Sequence, residues 1–120
     1  MNKVILHLTT GDARDQKRLF TQINNIKREL PECEIEVVVH AAAAGMMLNQ
    51  PGIFAAEIKE HTERKVVFAV CRNSLNALNA ADQDLISGVK VVNSALAHII
   101  LRQQRKQKRN QLCRPEGRQI

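Results

Sequence analysis

VVFAVCRNSL, residues 66–75, joins two kinds of chain. Five apolar residues, three of them valines, run up to Cys71, and Arg72, Asn73 and Ser74 then turn polar at once. An unalternating, β-branched run suits a central strand of a parallel sheet, whose two faces are both covered. Asn73 and Ser74 are good helix-capping residues, so the stretch predicts a strand over Lys65–Val70 followed by a short helix to about Asn79. A strand that passes straight into a helix is half of a βαβ unit.

The same alternation extends outward in both directions. Lys3–Leu8 reads as a strand and TTGD (9–12) as the loop after it. Leu19, Ile23, Ile26 and Leu30 then recur at i, i+4, i+7 and i+11, one face of an amphipathic helix. Asp12 is its expected N-cap, and Pro31 ends it. Ile35–His40 reads as a second strand, Ala41–Gly45 as a loop or first helical turn, and Ile53–Thr62 as a second helix. Val89–Val92 is expected as a fourth strand. Ser94 should cap a last helix with Leu96, Ile99 and Ile100 facing inward. The order βαβαβαβα predicts an α/β domain with a parallel sheet and right-handed crossovers.

The 120 residues suit one domain, and 44% hydrophobic content can supply a core. At this size, oligomerisation would add stability. No apolar run reaches the 18 or more residues of a membrane span. The opening MNKVILHLTTGD lacks the features of a secretory signal, so a cytoplasmic protein is expected. Three cysteines with no C-x-x-C pair argue against a disulfide framework and against a zinc site. No metal-ligand spacing links the four histidines. TTGD is neither a dinucleotide fingerprint nor a P-loop, and no cofactor is expected. Residues 1–100 balance 11 basic against 11 acidic residues, so the net charge of +6 lies wholly in residues 101–120. The expected organisation is a domain over 1–103 and a basic tail over 104–120. That tail has no aromatic residue for stacking bases, so nucleic acid is not the expected partner.

In an open parallel sheet, chemistry gathers at the carboxyl ends of the strands, near the point where strand order reverses. The first strand brings Thr9, Thr10, Gly11 and Asp12 to that edge, and the second brings His40. The third brings Cys71, Arg72, Asn73 and Ser74; the fourth brings Asn93 and Ser94. A helix start beside Cys71, together with Arg72, would favour the thiolate, which is the nucleophilic form. The default for a free cysteine is a small buried hydrophobe. His40 can orient or deprotonate a neighbour there, or serve as a structural residue. His7 is expected in the core, and His61 and His98 on the surface. Cys33 falls in a connecting loop and Cys113 in the tail.

FAVCRNSL (68–75) and DLISGVKVVNSALAHIILRQ (84–103) resemble the DsrE/DsrF-like family, and VVVHAAAAGMML (37–48) is similar to that family's histidine-containing segment. The resemblance covers roughly residues 3–103. It implies a three-layer, flavodoxin-like α/β domain with a mostly parallel sheet of four to five strands. It also implies homotrimers or hexamers, and a cysteine that carries sulfur as a persulfide between a donor and an acceptor protein. Cys71 would then be the sulfur-bearing residue of a sulfurtransferase or sulfur carrier. His40 and Asn73 would be its neighbours, with Ser74, Arg72, Thr10 and Asp12 in support. Two departures stand out: Ala41 occupies the family's glycine position after the histidine, and RKQKRNQLCRPEGRQI (105–120) is poor material for a fifth strand. The alternative is a homo-oligomeric small-ligand-binding module in which Cys71 is a core residue.

Overall fold

The computed structural model describes residues 3–110, with side-chain surroundings defined to Gln103. Four strands, β1 (Lys3–Leu8), β2 (Glu34–Val39), β3 (Val67–Cys71) and β4 (Lys90–Val92), alternate with α1 (Ala13–Glu29), α2 (Ala55–Glu63), α3 (Arg72–Ala77) and α4 (Ala95–Asn110). A 3₁₀ segment, Ala41–Met47, follows β2, and a shorter one, Asp82–Asp84, precedes β4. All strand pairs are parallel and the order is β1-β2-β3-β4. The chain is thus an α/β domain with a parallel four-stranded sheet between helical layers. No fifth strand lies within residues 104–110, which are helical; the rest of the tail, Cys113 included, lies outside the described residues.

Side chains alternate across the sheet, so each strand feeds two cores. Val4, Leu6 and Leu8 of β1, Val37 and Val39 of β2, Phe68 and Val70 of β3, and Val91 of β4 share one face. Against it pack Leu19, Phe20 and Ile23 of α1, Ile58 of α2 and Leu75 of α3. Each fully buried Ile, Leu or Phe here contributes about 1.5–3 kcal/mol of transfer free energy. The other face carries Val38, Ala69 and Cys71 with the flanking Ile5 and Val92, and among the described residues Ala95 and Ile99 are the apolar side chains of α4 that pack on it. A consecutive strand order with crossovers of one hand puts α1, α2 and α3 on one side. The helix after the edge strand β4 is the one that turns to the other.

Several local expectations shift. Asp12 does cap α1, its carboxylate accepting the Arg14 N–H at 2.8 Å. Leu30 lies just past the end of that helix and is exposed, and Phe20 takes the inward place instead. Cys71, not Asn73 or Ser74, stands at the N-cap position of α3, because β3 runs one residue further than its apolar run. Ser94 caps α4 as expected, accepting from the Ala97 N–H at 3.2 Å. Leu96 and Ile100 face outward, 58% and 52% exposed, and of the expected trio only Ile99 packs on the sheet. His61 is buried rather than on the surface: its ring stacks on Phe20 at 5.6 Å between centroids. His7 is exposed rather than in the core, since β1 is an edge strand and the α4 side of it is only thinly covered.

Candidate functional site

Strand order does not reverse among the described strands, yet the helices that follow β3 and β4 leave the sheet on opposite faces. After β3 the chain enters α3 on one face, and after β4 it enters α4 on the opposite face. The N-termini of these two helices therefore flank the carboxyl ends of β3 and β4. Cys71, the last residue of β3, lies between them and is paired in register with Val92.

Four donors act on the Cys71 thiol to lower its pKa. They are the backbone N–H groups of Ser74 and Asn73 from α3, that of Ala95 from α4, and the Ser74 hydroxyl. As a thiol, the sulfur can in turn donate to the Asn93 carbonyl at 3.9 Å. Burial alone pushes the thiol's pKa up, because it disfavours the charged form. The hydrogen bonds from Ser74, Ala95 and Asn73 outweigh it, and the net displacement is downward from a free thiol's value. The thiol is also enclosed: Cys71 is 5% exposed, packed with Val38, Ala69 and Ala95.

Ser74 ties this thiol to the end of β2. Its hydroxyl oxygen accepts the Ala41 N–H at 2.8 Å, which leaves its own proton free for the sulfur. Ala41 has φ +56°, a left-handed conformation that costs a residue with a Cβ roughly 1–2 kcal/mol. Ala41 therefore makes a strained turn, held by its hydrogen bond to Ser74.

His40 stands one register step beyond the Val39–Val70 pair, level with Cys71 on the neighbouring strand. Its ring, however, is engaged by His7, with Nδ1 at 2.9 Å from the Nε2 of His7 and the rings stacked 4.7 Å apart. Burial, then the neighbouring His40, lowers the pKa of His7. No hydrogen bond joins His40 to Cys71 among the described residues.

Arg72 is turned to Asp82 in a two-pronged pair at 2.7 and 3.2 Å, so its charge is committed there. That hydrogen bond raises the Arg72 pKa and lowers that of Asp82. Asn73 contributes its backbone, and its side chain lies at the exposed surface. Thr10 and Asp12 serve the start of α1: the Thr10 hydroxyl accepts the Asp12 N–H at 3.0 Å, and the Thr10 carbonyl accepts from Gln16 at 2.9 Å. The structure thus brings together Cys71, Ser74 and the backbone of Asn73, and leaves Arg72, Thr10 and Asp12 engaged elsewhere.

Sequence reasoning missed two members. The Ala95 N–H was accessible in principle, since Ser94 marks a helix start at the end of the strand beside β3. His7 gave no such signal, because an edge strand and a central one look alike in KVILHL. No group of three or more His, Cys, Asp or Glu side chains that could hold a metal occurs among the described residues. No helix among them is long and apolar enough to cross a membrane.

A four-stranded parallel sheet flanked by helices defines the class as α/β. Within it, the sequence profile of the DsrE/DsrF-like family matches residues 2–108, and the chain belongs to that family. A solved structure of a protein of unknown function from Methanobacterium thermoautotrophicum superposes with a TM-score of 0.84 at 27% identity. The match covers 88% of this chain and 95% of that one. No curated protein matches.

Proposed function

We propose that the protein is a persulfide-carrying member of a sulfur relay, with Cys71 as the sulfur acceptor. The observation that carries this reading is the place of Cys71, the last residue of β3 and N-cap of α3, beside Asn93 and Ala95 at the start of α4, where donors from Ser74, Ala95 and Asn73 lower its pKa in spite of burial. Family membership supports the sulfur chemistry in kind. In the first step the Cys71 thiolate attacks the outer sulfur of a donor persulfide. The donor's S–S bond breaks, its inner sulfur leaves with the electron pair and takes a proton from water, and Cys71 becomes the persulfide. An acceptor thiolate then attacks the outer sulfur of Cys71 in the same way. The exchange has no net redox change and needs no cofactor or metal. The donors that stabilise a thiolate serve equally for Cys71 leaving in the second step.

The reading places the protein in a reducing compartment such as the cytoplasm, where thiols stay available. It also takes the protein as a homo-oligomer, a trimer or hexamer, whose mass light scattering would read. Exposed Leu96, Ile100 and Leu101 on α4 supply an apolar surface for that assembly. A second reading, a small-ligand-binding module with Cys71 as packing, is favoured by the sulfur's burial among Val38, Ala69 and Ala95. Incubation with a low-molecular-weight persulfide, read by mass spectrometry, separates the two. A 32 Da gain on Cys71, the mass of one sulfur atom (~32), that Cys71→Ser abolishes supports the relay. An unmodified Cys71 with Cys33 as the control discards it in favour of the module.

A further inference from the structure

If Cys71 accepts sulfur, a donor must reach it, and the sulfur is enclosed. The walls differ in how firmly they are held. β3 is the third strand of the sheet, and α3 is anchored by Leu75, fully buried in the larger core. α4 is held differently. Among the described residues of α4, Ala95 is the one buried apolar anchor, Ile99 is partly buried, and Leu96, Ile100 and Leu101 face away from the sheet. The remaining attachment is polar. Glu36 of β2 hydrogen-bonds His98 at 2.8 Å and forms an ion pair with Arg102 at 3.3 Å, two positions one helical turn apart. The Glu36 carboxylate is 14% exposed, and its register neighbours on either side are Ile5 and Val67. Among the described residues, α4 supplies its charge partners.

We infer that α4 is a hinged cover over Cys71 and that Glu36 is the latch that holds it closed. This rests on the reading of Cys71 as the sulfur acceptor and names how that site is regulated. The hinge is Asn93–Ser94, between a three-residue edge strand and the helix. Opening there withdraws two of the sulfur's contacts, the Ala95 N–H and the Asn93 carbonyl. The Asn73 and Ser74 donors stay with the sheet, so the uncovered sulfur keeps part of its thiolate-stabilising environment. A packed helix face opens least readily; one held mainly by a charged pair at the rim of a small apolar contact opens at lower cost. Assembly through the outer face of α4 and opening on its inner face use opposite sides of the helix.

The test is Glu36→Gln, which keeps the shape of the side chain and removes its charge. Alkylation of the native full-length chain with iodoacetamide, a neutral reagent, is followed at Cys71 by mass spectrometry. Cys33, buried beside the opposite core, is the reference. Cys71 should react about tenfold faster in the variant with Cys33 unchanged. An unchanged Cys71 rate overturns the proposal. If both cysteines speed up together, hydrogen exchange of the wild-type chain decides. Amides of α4 should open without those of β3 and α1, and equal protection of the three overturns the cover. Neither measurement uses a sulfur donor. A failure of persulfide loading would therefore strike the relay and leave the cover standing, and an unchanged rate would do the reverse.

Discussion

At the scale of the residue, Cys71 shows how position decides the chemistry of a thiol. Burial raises a cysteine's pKa, and a buried cysteine without donors is inert. Here the end of a strand coincides with the start of one helix and the flank of another, so backbone N–H groups arrive where they have no intrahelical partner. Their net effect is a lowered pKa in spite of burial. Ser74 is the side chain that supports this most directly. Ser74→Ala should raise the Cys71 pKa, read from the pH dependence of thiol alkylation. It should also destabilise the chain by about 1 kcal/mol, because the Ala41 N–H loses its partner. Arg72 was the expected electrostatic helper, and its capture by Asp82 explains why the backbone, and not a side-chain cation, carries the effect. The sequence could suggest a charge beside the thiol. It could not show which carboxylate, ten residues on, would claim that charge.

At the scale of the element, the strands and helices were largely legible because their patterns are local. The apolar run at residues 66–70 and the caps Asp12 and Ser94 give the alternation of elements without any knowledge of packing. What stayed hidden was which side of each helix meets the sheet. α4 has apolar residues at Leu96, Ile99 and Ile100, and the period permits more than one inward face. The small Ala95 ends up against the sheet because Cys71 and Ala69 leave room only for a close approach. His61 was misplaced for a related reason. Its ring is flat and apolar enough to join Phe20, Phe54 and Phe68, the chain's three phenylalanines. Its Nδ1 is buried without a hydrogen-bond partner. Burial holds its pKa below the ordinary histidine value near 6.5. The unfolded chain therefore binds a proton more readily than the folded one. Stability is fully present above about pH 6.5 and is lost as pH falls below it, toward the lowered folded value. His61→Phe should weaken this acid sensitivity: its melting temperature should fall less between pH 7 and pH 5 than that of the wild type.

At the scale of the whole molecule, the fold makes one side of the sheet firm and the other adjustable. Three helices and most of the large side chains sit on one face, and a single helix with a small contact covers the other. The thiol lies on the thinly covered face, where access can change without disturbing the main core. The sequence carried the alternation of strands and helices and the place of Cys71 at the carboxyl end of β3. It could not carry the enclosure of that thiol, since this depends on α4 crossing to the second face after the edge strand. The measurement that tests the account most directly is the pH dependence of native Cys71 alkylation, with Cys33 and Cys113 as internal references. The account predicts a Cys71 midpoint below a free thiol's roughly 8.5. A midpoint at or above that value, or modification only when the chain unfolds, would contradict it and return Cys71 to the core.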